Sequence, residues 1–209
     1  MTPPTYDQAF WEQLWTRTLH AHGDKVAARA PSTQLVEALS DVSPGRALDA
    51  GCGHGAETLW LATRGWDVTA IDFSPSALAH GRAMADALGA SVAGRIHWVE
   101  GDLATWTAPP GGFDLVVSLY VHIAGPVEAA IQKLADAVAV GGMLLMIGHR
   151  PIDPATGAPT GAAGQVQVSV QEALTVLGGE RWELLIAEER PRAVAGSGVD
   201  AVIHARRRA

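Results

Sequence analysis

At 209 residues, with 48% hydrophobic residues and a formal charge of -7, the chain is long enough to bury one sizeable core and is expected to form a single domain over 1–209. The acidic balance argues against nucleic acid as a partner, because non-specific affinity for a phosphate backbone comes from lysine and arginine, and the longest uncharged apolar stretch, residues 137–148, falls short of the ~20 residues of a membrane span. One cysteine, Cys52, excludes an internal disulfide and a cysteine-based zinc site, and "MTPPTYDQAFWEQLW" lacks the basic-then-apolar order of a signal peptide, so a reducing, cytoplasmic setting is expected.

In chain order, residues 1–45 read as a mainly helical cap, with Trp11 and Trp15 four apart on one face. Residues 46–209 then alternate strand and helix signals. The strand "RALDA" (46–50) is followed by a helix over 56–65, the strand "WDVTAID" (66–72) and a helix over 74–89. Ser74 and Pro75 have the chemistry of an N-cap and a first-turn proline, and Gly65 and Gly89 stand where left-handed caps end helices. Next come "RIHWVEGD" (95–102), "FDLVVSLYV" (113–121), a helix over 125–140 that starts at Pro126, and the strand "GMLLMIGH" (142–149). Residues 152–164, rich in glycine, proline and alanine, read as a surface loop free to lie over a ligand.

A helix over 169–179 carries Ser169 and Glu172 at capping-box spacing. The strands over 181–192 and 198–208 are separated only by "AVAGS", too few residues for a crossover helix, so they should pair as an antiparallel hairpin. Arg206, Arg207 and Arg208 read as a solvated strand end. Continuous apolar strands alternating with amphipathic helices predict an α/β fold, a mostly parallel sheet with helices on both faces and an antiparallel C-terminal hairpin.

The stretch "LDAGCGHGAETLWLATRG" (48–65) puts three glycines at alternate positions between a strand and a helix. Such a corner gathers unpaired backbone N–H groups and a helix dipole where a polar ligand binds well. The dinucleotide fingerprint spaces its second and third glycines three apart, whereas Gly51, Gly53 and Gly55 are spaced two and two, which disfavours an NAD oxidoreductase. Asp49, two residues before the first glycine, offers a carboxylate to the ammonium of an amino-acid ligand.

With those residues in place, "LDAGCGHGAETLWLA" resembles the first motif of the class I S-adenosylmethionine (SAM) dependent methyltransferases. The resemblance continues in order over residues 46–148 and implies a Rossmann-like, seven-stranded sheet. Asp72, which ends "DVTAID", matches the family's acidic residue on the ribose hydroxyls, with Phe73 against the adenine. "VEGDLATW" resembles the segment that meets the adenine amino group and ring, which implies roles for Asp102 and Leu103. "FDLVVSLYVHI" resembles the fourth-strand motif, with Leu119 at its end. Gly51, Cys52 and Gly53 would line the corner. The implied cofactor is SAM, with S-adenosylhomocysteine (SAH) as product and a small-molecule acceptor. The chain is similar to the small-molecule branch that includes thiopurine and tellurite-resistance methyltransferases, in which an N-terminal helix with aromatics closes the acceptor pocket; Trp11 and Trp15 fit that part or, equally, core packing.

Methyl transfer from a sulfonium needs alignment and dryness, and a general base only for a protonated acceptor. His122 and His149, each following a strand, are the candidate bases, His122 the stronger, and Tyr120 is a candidate to orient the acceptor. Arg150 could meet an anionic acceptor group. No metal is expected, since His20, His22, His80, His97 and His204 show no ligand spacing. Alternatives are a cyclase-like protein that keeps SAM as a bound cation and a non-catalytic SAM sensor; the assembly is expected to be a monomer or homodimer.

Overall fold

The computed structural model describes residues 6–123, 125–153, 156–160, 162–192 and 198–209, in two units, Met1–Thr107 and Ala108–Ala209. The first holds α1 (Gln8–Ala27), α2 (Thr33–Ala38), β1 (Arg46–Ala50), α3 (Ala56–Thr63), β2 (Asp67–Asp72), α4 (Pro75–Leu88), the short α5 (Ala90–Ala93) and β3 (Ile96–Glu100). β1 pairs parallel with β2, setting Asp49 beside Ala70, and β2 pairs parallel with β3, setting Asp72 beside Glu100. Ala47, Leu48, Ala50, Val68, Ala70 and Ile71 are all buried. These short strands do not alternate apolar and polar residues, as is usual where both faces of a parallel sheet are covered.

Helix boundaries follow local chemistry. Asp7 caps α1 through the Phe10 N–H at 2.9 Å, and Ser74 caps α4 through the Ala77 N–H at 3.2 Å, with Pro75 in the first turn; each cap contributes about 1 kcal/mol. Gly65 (φ 92°) and Gly89 (φ 103°) both hold positive φ, but Gly89, with ψ 162°, is not in the left-handed helical conformation expected of a cap. After Gly89 the chain makes the extra turn α5, which its four residues are too few to announce by periodicity.

The second unit holds β4 (Phe113–Leu119), α6 (Val127–Ala137), β5 (Val138–His149), α7 (Val170–Leu177), β6 (Trp182–Pro191) and β7 (Val199–Arg207). β5 runs parallel to β4, while β7 is antiparallel to both β5 and β6 and lies between them. The hairpin is therefore present; its connecting residues 193–197 lie outside the described residues. α6 stops three residues earlier than the sequence pattern suggests. Val138 and Val140 favour extended backbone, Gly141 takes φ 80°, and the register moves from Phe113 opposite Val138 to Leu115 opposite Met143, so a bulge absorbs the residues that look helical. The Ser169–Glu172 capping box is present with both of its reciprocal bonds.

The strands form a seven-stranded sheet in the order β3-β2-β1-β4-β5-β7-β6, the mostly parallel, Rossmann-like arrangement with an antiparallel C-terminal hairpin. Among the described residues, no helix is long and apolar enough to cross a membrane.

Candidate functional site

In the first unit the chain leaves β1 at Ala50 and turns through three positive-φ glycines, Gly51 (81°), Gly53 (53°) and Gly55 (88°), before α3 begins. The bend was expected to hold unpaired N–H groups, but the N–H groups of Gly51 and Cys52 both donate to the Ile71 carbonyl, at 2.9 and 3.0 Å, Gly53 N–H donates to Asp72 Oδ2 at 2.9 Å, and Gly55 N–H donates to the Cys52 carbonyl. β2 supplies most of these acceptors because β1 and β2 run on in register beyond their ladder. Asp72 accepts a second bond, from Ser74 N–H to Oδ1 at 2.9 Å, so its carboxylate ties the glycine turn to the start of α4.

The bare backbone also serves two indoles. A Cβ on Gly53 would stand 2.9 Å from Cζ2 of Trp15, and Cβ atoms on Gly55 and Gly81 would stand 2.7 and 2.5 Å from Cη2 of Trp98. Trp15, on α1, also lies 5.3 Å from the His54 ring, centroid to centroid. Glu12 holds α1 in place by accepting from the hydroxyls of Ser74 and Ser76, and Gln8 Nε2 donates to the Phe73 carbonyl at 2.8 Å. Trp11 packs instead with Phe10 and Tyr6, at 5.5 and 6.3 Å. The two tryptophans four apart thus have different surroundings.

Asp49 is 3% exposed and accepts from the Thr58 hydroxyl at 2.5 Å. Burial and the Glu57 carboxylate, with a smaller push from Asp72, raise its pKa to about 7 against the bonds from Thr58. Burial likewise raises Asp72, partly offset by its backbone donors. Among the described residues no ion pair reaches either carboxylate. A buried carboxyl held this high is short of a positive partner, so an ammonium-bearing ligand fits the corner. Cys52 is buried, its thiol pushed well up by burial and the neighbouring carboxylates, and is therefore inert packing.

The remaining expected cofactor residues are less committed. Phe73 is half-buried and Asp102 exposed, with Oδ1 accepting from Ala104 N–H at 2.8 Å in a tight turn. Leu103 is half-buried. Leu119, also half-buried, ends β4 in the second unit.

In the second unit the polar residues gather on Asp200 of β7. His149 Nδ1 lies 2.8 Å from Asp200 Oδ1, Arg192 Nε donates to the same oxygen at 2.8 Å, and the Tyr120 hydroxyl donates to Oδ2 at 3.2 Å. The register explains the meeting, since His149 and Asp200 are partners across β5 and β7. Burial pushes Asp200 up, but the bonds and charges of His149 and Arg192 outweigh it and hold the carboxyl below its ordinary value. Tyr120 has φ 61°, the non-glycine residue with positive φ among those described, and its ring lies 4.2 Å from that of His149. A bulky residue held there marks a constrained position.

Gln167, 7% exposed, links the second candidate base to the first: its Oε1 accepts from His149 N–H at 2.7 Å and its Nε2 lies 3.3 Å from His122 Nε2. Burial and the charge of His149 lower the His122 pKa to about 4. Arg150 pairs with Glu189 at 2.7 Å. Asp200, Gln167, Arg192 and Thr58 carry no motif. Asp200 alone leaves a trace in the sequence, as a charge inside the apolar run "GVDAVIHA". Among the described residues no group of three or more His, Cys, Asp or Glu is placed to hold a metal ion.

Residues 47–142 match a family model described as a methyltransferase domain. The chain is similar to the malonyl-[acyl-carrier protein] O-methyltransferase of Enterobacter lignolyticus, 29% identical over 143 residues covering 68% of this chain and 54% of that protein. It spans from 30 to 54% of the length of three curated relatives it matches. Among solved structures it is similar to the N-methyltransferase NodS of Bradyrhizobium japonicum, solved with SAH (TM-score 0.70, 21% identity, 94% of this chain and 98% of that one). It is also similar to TehB of Haemophilus influenzae (TM-score 0.68, 22% identity, 85% and 63%).

Proposed function

We propose that this chain, whose residues 47–142 match a methyltransferase-domain family model, is a class I SAM-dependent methyltransferase that transfers the methyl group of SAM to a small-molecule acceptor through an oxygen, nitrogen or sulfur nucleophile. The observation that carries this reading is the Asp49 carboxyl, 3% exposed, with no ion-pair partner among the described residues; burial and the nearby Glu57 and Asp72 carboxylates raise its pKa to about 7. SAM brings an ammonium and a sulfonium, the two cations such a corner favours.

Asp49 receives the ammonium, directly or through water, and ionises fully as it does so. Asp72 takes the ribose hydroxyls on the lone pairs left by its two backbone donors. Phe73 and Leu103 lie against the adenine, Asp102 accepts from its amino group through the oxygen not used by Ala104, and Gly51, Cys52 and Gly53 complete the wall within the first unit. Trp15 keeps water from the glycine turn. The donor supplies an already activated methyl group, so the chain's task is to align, desolvate and, where needed, deprotonate the acceptor. Tyr120, His122, His149 and Arg150 are the acceptor-side candidates of the second unit, and Trp11 is that of the first.

Calorimetry with SAH and with NADH, followed by incubation with SAM carrying a labelled methyl group, tests the reading. Heat with SAH alone and label on the acceptor are expected. Label retained on the donor while an acceptor is consumed would identify the cyclase-like use instead, and binding without any turnover a sensor. Asp72→Ala should weaken SAH by a few kcal/mol, because each charge-assisted bond to a shielded ligand is worth roughly 1.5–3 kcal/mol.

A further inference from the structure

The buried hydroxyl of Thr58 does not serve its own helix. Thr58 stands in the first turn of α3 and is 0% exposed. A threonine inside a helix often turns its hydroxyl to a carbonyl three or four residues back. Here the hydroxyl donates instead to Oδ2 of Asp49, nine residues earlier on β1, at 2.5 Å. A valine of similar shape would fill the same space and bring no polar group to desolvate, so packing alone does not call for a hydroxyl.

The other groups that act on Asp49 oppose its charge. Glu57, beside Thr58 on α3, and Asp72, at the end of β2, are carboxylates, and Cys52 in the glycine turn is a buried thiol. Glu57 keeps its place by accepting from Ser32 N–H at 3.0 Å. Among these groups Thr58 is the one that favours the ionised carboxylate, through its hydroxyl and, less strongly, its backbone N–H.

We propose that Thr58 is the positioning residue for the amino-acid end of the ligand: its hydroxyl fixes the Asp49 carboxylate, so that an ammonium is bound at lower pH than the acidic corner would otherwise allow. This deepens the methyltransferase reading and rests on its placement of the SAM ammonium at Asp49. A carboxylate accepts the threonine O–H more strongly than a neutral carboxyl does, and a carboxylate already held has less freedom to lose when the ammonium arrives. Thr58 thus sets the pH above which the ligand is held tightly.

Calorimetric titration of the wild type, Thr58→Val and Thr58→Ser with SAH and with methylthioadenosine, from pH 6 to pH 9, tests the proposal. Methylthioadenosine keeps the adenosine and thioether of SAH but has no ammonium and no carboxylate. At pH 7, Thr58→Val should bind SAH roughly ten-fold more weakly, and the deficit should shrink towards pH 9, where Asp49 ionises in either protein. Its affinity for methylthioadenosine should equal that of the wild type. At pH 7.5 the variant should release more protons on binding SAH than the wild type does, read from buffers of different ionisation heat. Thr58→Ser, which keeps the hydroxyl, should return the wild-type pH curve. A loss of SAH affinity equal at every pH, or a matching loss with methylthioadenosine, is what a merely structural role gives, and either overturns the proposal; so does an unchanged Thr58→Val, or a Thr58→Ser that restores nothing. No heat from SAH with the wild type removes the methyltransferase reading and this proposal together. The expected SAH results with no transfer of labelled methyl remove the catalytic reading alone and leave Thr58 and Asp49 as placed.

Discussion

Trp15 lies directly on Gly53, so that a Cβ at the glycine would be 2.9 Å from the indole. The glycine also has φ 53° and donates its N–H to Asp72, so one residue joins the N-terminal helix, the turn and the β2 carboxylate. Gly53→Ala should be destabilised twice over, by roughly 1–2 kcal/mol for the left-handed backbone and by about 1–3 kcal/mol for overpacking. Trp15→Ala in the same chain should restore only the second share. Urea denaturation of both single variants and the double variant measures the coupling, and additive losses would mean that the indole does not occupy that position.

Asp49 gives a pH prediction whose sign follows from its raised pKa. Its folded value, about 7, lies above the ordinary 3.8, so stability from this group is fully present below about pH 4 and is lost as pH rises to 7. The shift corresponds to at most about 4 kcal/mol, at about 1.4 kcal/mol per pH unit. Asp49→Asn should therefore be more stable than wild type at pH 8 while binding SAH more weakly. Because the ammonium ionises Asp49, SAH binding at pH 6.5 should release a large fraction of one proton, read from calorimetry in buffers of different ionisation heat. Binding with no proton release would remove Asp49 from the ammonium site.

Gly81 sits inside α4, where alanine ordinarily stabilises a helix by up to about 1 kcal/mol. Here the added methyl would meet Trp98 Cη2 at 2.5 Å and the His54 carbonyl at 3.0 Å. Packing should win, and Gly81→Ala should lose about 1–3 kcal/mol. Trp98→Leu, which removes the clashing ring atoms, should convert the same substitution to a smaller loss in a thermal-melt cycle. A stabilised single variant would show that helix propensity decides at this site.

His54 gives the opposite pH sign to Asp49. Burial first, then the charges of Arg29 and His80, lower its pKa to about 4 from 6.5. Its contribution is present above pH 6.5 and is lost as pH falls towards 4, by at most about 3 kcal/mol. His122 titrates in the same window, so the difference between wild type and His54→Gln isolates the His54 share. That difference should grow as pH falls from 7 to 4.5, and a flat difference curve would place His54 in contact with water.

The strands, the α4 cap, the capping box and the C-terminal hairpin were legible because each rests on residues adjacent in sequence: Ser74 before Pro75, Ser169 three before Glu172, "AVAGS" too short to cross a sheet. The limits of α6 were not, because a bulge opposite β4 rather than local periodicity decides where β5 begins. Similarly, the glycine triplet marked a tight turn but not that Trp15 and Trp98 would use its bare backbone.

The sequence by itself determined the alternating fold and the row of carboxylates at the ends of β1 and β2, since those depend on short-range pattern and on where apolar runs stop. Only the tertiary structure decided which side chains share a proton or a face. Asp200 meets His149 through an antiparallel register joining residues 51 positions apart, and the Asp49 carboxyl is raised by burial that no single segment contains. Register and desolvation are properties of packed strands, so they come into being only when distant parts of the chain exclude water together.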